Sequence, residues 1–247
     1  MSISNAEFSV PLVYREPPEV GRTYGGSRAL FREAAHQFGV DLTEQEDYEW
    51  MAGLEFAKLV DHLVDVEKQD ASTSYKEIIS GKLRDDLNSD IQVRTINFMA
   101  RKSLDERAGI LEILDEVNTL VTAQRIATKA SEVVDIRFTE AELLTSLFAL
   151  EERGLTDDAA RQTFNKWLDQ WHRAGYLVDT LFDMRDDFKN GETSVIPTIG
   201  AGLYYAGVAS RESFTAVRKT PAALIGKCAL EGFRYVILQK SINVQDQ

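Results

Sequence analysis

No proline interrupts the chain between Pro18 and Pro197. Proline removes a backbone donor and clashes with the preceding turn, so its absence permits long, unbroken helices. No Val/Thr/Tyr alternation suggests a half-buried strand, and no fixed-period repeat occurs. The expected fold class is therefore all-α, a single-domain helical bundle. Residues 1–22, with three of the five prolines, read as an extended N-terminal segment, and residues 23–247 as the α-helical domain.

Capping signals divide the helical region. A helix is expected from Ser27 to Phe38, stopped by Gly39. A second runs from Thr43, as N-cap, to about Gln69, with Gln45 and Glu46 in its first turn. A short helical piece is expected from Ser74 to Ile79, then one or two helices across Asp86–Lys102 and Leu104–Val133. Thr139-Glu-Ala-Glu has capping-box spacing and opens a helix to Arg153. A long helix is expected from Asp157 to Phe188, with Asn190-Gly191 as its stop. Thr198–Ala209, Glu212–Lys219 and Pro221–Gln239 complete the set.

Charge excludes some functions. Forty acidic against 28 basic residues give a net charge of −12, the wrong sign for a general nucleic-acid binder or for docking to anionic lipid. Cys228 is the only cysteine, so no internal disulfide can form, and His36, His62 and His172 are scattered, so no Cys/His metal cluster exists. The first ten residues lack a basic n-region and an apolar h-region, and no run approaches the length of a membrane span. A cytoplasmic, soluble protein is expected.

Two acidic segments carry the chemistry. One is Asp61-His-Leu-Val-Asp65, continuing to Glu67 and Asp70; the other is Asp179-Thr-Leu-Phe-Asp183, continuing through Asp186 and Asp187 to Asn190-Gly191-Glu192. Carboxylates four apart stack on one helix face, where like charges destabilise the bare helix. Two such stacks in apolar helices suggest a cation between them. Mg²⁺ is the natural cofactor, because it takes oxygen ligands and is commonly held by carboxylates plus substrate phosphates. The candidate ligands are Asp61, Asp65, Asp179, Asp183 and Asp187. Arg84-Asp85-Asp86 and Asp157-Asp158 read instead as surface or capping positions.

Phe56-Ala-Lys-Leu-Val-Asp-His-Leu-Val-Asp65 and Gly175-Tyr-Leu-Val-Asp-Thr-Leu-Phe-Asp-Met-Arg-Asp-Asp-Phe-Lys-Asn-Gly-Glu192 resemble the two aspartate-rich helices of class I isoprenoid (terpenoid) synthases, in order and in separation. The D-x-x-x-D form is closest to the squalene/phytoene synthase branch. The short length and the N-G-E ending are similar to the small prenyltransferase of moenomycin biosynthesis. His62 and Thr180 stand where chain-elongating synthases have the second Asp of a pair. The resemblance implies a helical bundle around a central cavity. It also implies Mg²⁺, and Asp61, Asp65, Asp179 and Asp183 as the catalytic acids for ionising an allylic prenyl diphosphate. It further suggests diphosphate contacts from Arg28 and Arg32, which follow Gly25-Gly26-Ser27, and from Gln124, Arg125 and Lys129. An ionised prenyl chain needs an apolar cavity with aromatic faces. Candidates are Phe56, Phe98, Phe148, Trp171, Tyr176 and Phe182.

Three readings follow. The first is a terpene synthase, a lyase acting on a prenyl diphosphate alone, with a prenyltransferase using a second substrate as its competitor. The second is a non-catalytic isoprenoid-binding or partner subunit. The third is a helical scaffold with solvated acidic faces. Ser27 in place of a lysine, and no Arg-Arg pair after Asp65, make a poor second-diphosphate site, which favours the terpene synthase; a homodimer is compatible with it. A mean hydropathy of −0.25 excludes the membrane-embedded aromatic prenyltransferases.

Overall fold

A computed structural model describes residues 18–65, 102, 104–151, 154 and 156–230. Side chains are described from residue 28 onward within these ranges, except at 55–65, 104, 105 and 148. The described residues are all-helical, without a strand. Six helices are α1 (Pro18–Gln37), α2 (Glu44–Asp65), α3 (Leu104–Ile126), α4 (Ala130–Phe148), α5 (Asp158–Asn190) and α6 (Ile199–Lys219). A seventh, α7, spans 222–230. No helix among the described residues is long and apolar enough to cross a membrane.

Several boundaries follow the expected chemistry. α1 ends before Gly39, whose φ of 79° is the left-handed conformation that glycine adopts without penalty. Thr43 and Glu46 cap α2 reciprocally: Glu46 N–H donates to Thr43 Oγ1 at 3.2 Å, and Thr43 N–H donates to Glu46 Oε2 at 2.9 Å. Other boundaries differ. α1 begins at Pro18, so 18–22 are helical rather than extended; a proline in a first turn costs no hydrogen bond. The break expected near Thr139 lies at 127–129. There Glu132 accepts from the Thr128 and Lys129 N–H groups and caps α4, while the Thr139 hydroxyl donates to the Asp135 carbonyl inside the helix. α6 is one helix, not two, and Thr198 caps it by accepting from Ala201 N–H. The expected helices at 74–79 and 86–102 lie outside the described residues.

α4, α5 and α6 form the part of the bundle that matters for function. Thr145 meets His172 and the Leu150 backbone meets Asn165, so α4 runs antiparallel to α5. Gln170 donates to Glu212 and Trp167 to Thr220, so α6 runs back along α5 in turn. Two apolar clusters result. One joins the beginning of α5 (Phe164, Trp167, Leu168) to α1, α2 and α7 through Phe31, Trp50, Met51 and Leu224. The other joins the later part of α5 (Leu177) to α4 and α6 through Val133, Val134, Tyr205 and Ala209.

Candidate metal centre

The later part of α5 carries Asp179, Asp183 and Asp187 on successive turns. The helix ends at Gly191, with φ 73°. Its reversal is closed by Glu192 N–H donating to the Asp187 carbonyl at 2.8 Å and Gly191 N–H to the Phe188 carbonyl at 3.3 Å. This cap folds Glu192 back toward Asp187. Four carboxylates therefore share one field.

Asp187 feels this field. Burial, followed by the negative charges of Glu192, Asp183 and Asp179, pushes its carboxyl up to about 7, against the opposing pull of Arg137. The Asp187 carboxylate has no hydrogen-bond donor and no ion pair among the described residues. Asp186, one residue away, points outward and pairs with Lys189 at 2.9 Å.

The geometry also explains the D-x-x-x-D form. Thr180 is buried, and its hydroxyl donates to the Tyr176 carbonyl at 2.8 Å. An aspartate there would face the core with its charge unsolvated. Threonine satisfies its single polar group within its own helix.

Arg137 faces these acids from α4. Its Nη1 donates to Glu140 at 2.7 Å, and its guanidinium lies 5.8 Å from the centre of the Tyr176 ring. Burial opposes its charge, but Glu140 and then Asp187 outweigh burial and hold it firmly protonated. Arg137 Nε is buried without an acceptor among the described residues. Tyr205, on α6, is 1% exposed. Burial pushes its phenol up to about 12, with Arg137 and Asp187 as its charged neighbours. Sequence reasoning missed Arg137, Glu140 and Tyr205. The first two carry a legible signal, an i,i+3 charged pair that starts inside the largely apolar stretch Val133 to Phe138.

The other expected site residues are spread over the molecule. Tyr176 lies under Arg137, within the site. Gln124 is buried near the end of α3, and the Arg125 carbonyl accepts from Ser194 Oγ at 2.6 Å, which ties this helix end to the loop after Gly191. Lys129 is exposed and pairs with Glu132. Trp171 joins the other cluster, its indole N–H donating to Thr220 at 2.9 Å, and Phe182 is 53% exposed. Asp61, Asp65 and Phe56 lie on α2 and Phe148 ends α4, but their side chains are outside the described set, as is Phe98 entirely.

Arg28 and Arg32 lie elsewhere. Arg28 grips Asp47 with Nη2 at 2.6 Å and Nε at 3.1 Å, and Arg32 reaches the same carboxylate at 3.8 Å. With Thr43 and Tyr48 they line a cavity of about 350 Å³ at the start of α2. At about 1.5 Å rise per residue, Asp61 is roughly 21 Å further along that helix. These arginines already have a carboxylate partner and stand far from the first acidic pair.

A common origin relates the two acidic helices. Arg161, near the start of α5, donates to Glu46, near the start of α2, at 2.5 Å. Measured from that pair at about 1.5 Å per residue, Asp61 and Asp65 lie roughly 22 and 28 Å along α2, and Asp179 and Asp183 roughly 27 and 33 Å along α5. By residue count alone, the second acidic segment lies about 5 Å further along its helix than the first does along its own.

No protein-family model, no curated protein and no solved structure matches this chain. The site must therefore be argued from its chemistry. Crowded carboxylates, one of them half-buried and lacking a donor among the described residues, suit a hard, oxygen-seeking dication. Among the described residues no three acidic, imidazole or thiol groups converge on one point at metal-binding distance. Asp179, Asp183 and Asp187 offer oxygen donors of the kind Mg²⁺ takes.

Proposed function

We propose that this chain is a magnesium-dependent class I terpene synthase that ionises an allylic prenyl diphosphate and lets the resulting carbocation cyclise or be quenched. The observation that carries the reading is Asp187. A carboxyl pushed up to about 7 by burial and then by three neighbouring carboxylates, with no donor among the described residues, is a group whose charge is unbalanced until a cation arrives. Asp61 and Asp65, on α2, are the second set of holders that the sequence resemblance implies.

Asp179, Asp183 and Asp187 would hold Mg²⁺ from α5, and Asp61 and Asp65 from α2. Bound Mg²⁺ supplies Lewis-acid charge to a leaving diphosphate. Arg137 adds a fixed, always-charged group beside the acids, oriented by Glu140. Because Arg137 is held by Glu140 before substrate arrives, it needs little reorganisation to meet a developing oxyanion. The apolar neighbours on α4 to α6, Leu177, Leu181 and Val208 among them, exclude water that would quench a cation early.

The prenyltransferase alternative needs a site for a second substrate. Of its candidates Arg28, Arg32 and Arg125, the first two are engaged by Asp47 at the far end of α2, which favours the single-substrate reaction. The test is incubation with C10, C15, C20 and C25 prenyl diphosphates plus Mg²⁺, following hydrocarbon and diphosphate release. Release without an added acceptor is expected. Strict dependence on an acceptor would replace the lyase by the transferase. Binding without turnover of any chain length would leave the non-catalytic isoprenoid-binding protein as the answer.

A further inference from the structure

We infer that the outward face of α6 is an interface through which two copies of this chain pair antiparallel about a two-fold axis, independently of any catalytic activity.

α6 is apolar on two sides. Tyr205, Ala209 and Ala216 are buried on the side facing the bundle. On the other side Ile199, Leu203, Gly207, Ser210, Phe214 and Val217 recur every three or four positions and form one stripe. Its four large side chains are between 37% and 84% exposed. A helix that is apolar all round is ordinarily covered all round. Tyr204, beside the stripe, and Ile196, just before the helix, are exposed as well. At on the order of 100 Å² each, these six large side chains make an apolar surface of roughly 600 Å². That is at the upper end for a monomer, and near the figure of about 800 Å² that each partner gives to a stable interface.

Two features single out a second copy as the partner. The first is the order of sizes along the stripe: large, large, small, small, large, large, the same from either end. An antiparallel pair related by a two-fold therefore sets Leu203 against Phe214 of the second copy, twice over. It brings Gly207 and Ser210 together at the crossing, where small side chains let the helices approach. The second feature is charge. A net charge of −12 holds most surfaces of two copies apart. Between Glu192 and Glu231, however, Glu212 is the only acid, and it is turned inward, accepting from Gln170 at 2.7 Å. The charges that flank the stripe on α6 are Arg211, paired with Glu212 at 2.9 Å, and Arg218. Two copies can meet here without opposing acids. In the same register Arg211 falls beside Tyr204 of the second copy, where a guanidinium–ring contact is favourable.

The test is the mass of the full chain by sedimentation velocity across micromolar concentrations, for the wild type and for Gly207→Gln. A Cβ at Gly207 meets nothing within 4 Å in the single chain, so the longer side chain fits the monomer and obstructs only the crossing. A dimeric wild type is expected. Gly207→Gln should keep its helical circular dichroism and raise the dissociation constant about 100-fold or more, the scale of overpacking both halves of one interface. Leu203→Cys combined with Phe214→Cys should give a disulfide-linked dimer on mild oxidation, and Leu203→Cys alone should not. Cys228 is buried and does not compete. A monomeric wild type would overturn the inference, including one that instead binds vesicles of anionic lipid through this face. So would a dimer that Gly207→Gln leaves intact, a dimer that the paired cysteines fail to link, or one that Leu203→Cys alone links equally well.

Discussion

The two ends of α5 solve the problem of buried charge in opposite ways. Near its start, Arg161 is almost wholly buried and well supplied with acceptors: Asp157 at 2.9 Å, Glu46 at 2.5 Å and the Asp41 carbonyl at 3.4 Å. Phe31, Phe38, Phe164 and Trp167 pack around this end with ring centres 5.2–5.9 Å apart. Near its other end, Asp187 has no donor and Arg137 Nε no acceptor, both among the described residues. The first end spends its polar groups on holding α1, α2 and α5 together. The second leaves them open, and open buried groups are where a ligand is expected.

If this contrast is functional, substitutions at the two ends should have opposite signatures. The largest effect is expected for Asp183→Asn. Prenyl diphosphate turnover should fall by about 10²–10⁴-fold, the scale of losing one electrostatic contact to a transition state, while thermal stability holds or rises as like-charge repulsion is relieved. Full activity in a kinetic assay would remove Asp183 from the site. Arg161→Met should do the reverse. Stranding Glu46 and Asp157 should cost about 3–5 kcal/mol in a urea titration, with Mg²⁺ and diphosphate affinity of the folded protein retained.

The pH dependence of stability sharpens the contrast. Asp187 titrates at about 7 when folded and near 4 when unfolded, so between those values the folded state binds the extra proton. Its contribution makes stability fall as pH rises from about 4 to 7. His172 acts in the opposite sense. The Thr145 hydroxyl donates to the Ala141 carbonyl at 2.7 Å, so His172 Nδ1–H donates to Thr145 Oγ1, also at 2.7 Å. Burial keeps the imidazole neutral, with its titration pushed down to about 4, and Asp169 only partly offsets this. Stability from His172 is therefore present above about 6.5 and lost as pH falls toward 4. The two slopes oppose each other in the wild type. Asp187→Asn should unmask the histidine, giving a stability that rises with pH across about 4–6.5; a profile unchanged from wild type would show that Asp187 does not carry the raised titration.

The smallest effect is expected at the helix stop. A Cβ at Gly191 would meet nothing within 4 Å, so Gly191→Ala should cost only the left-handed backbone, about 1–2 kcal/mol, in chemical denaturation. If Glu192 is held near Asp187 by this cap, the same variant should also shift the Asp187 titration downward, which carboxyl NMR would detect.

Much of this was legible in the residues. The proline-free span, Thr43 with Glu46, and Asn190-Gly191 act through neighbours in sequence, so the α-helical class, the start of α2 and the end of α5 could be read directly. So could the i,i+4 spacing that stacks Asp179, Asp183 and Asp187, because helix geometry alone fixes it. Other features depended on long-range contact. Thr139 carries a capping signal, yet Glu132 wins the cap and α4 continues through it. Arg28 and Arg32 read as anion binders until Asp47, nineteen residues from Arg28, claims them. Trp171 reads as a cavity aromatic until Thr220 accepts its indole N–H. Arg137 and Tyr205 are anonymous in the sequence and meet the acids only because α4 and α6 fold back along α5. Backbone capping and helical spacing are local, and the chain determines them by itself. Whether a charged or polar side chain finds its partner is decided between helices, and only the tertiary structure decides which groups are satisfied and which are left to bind.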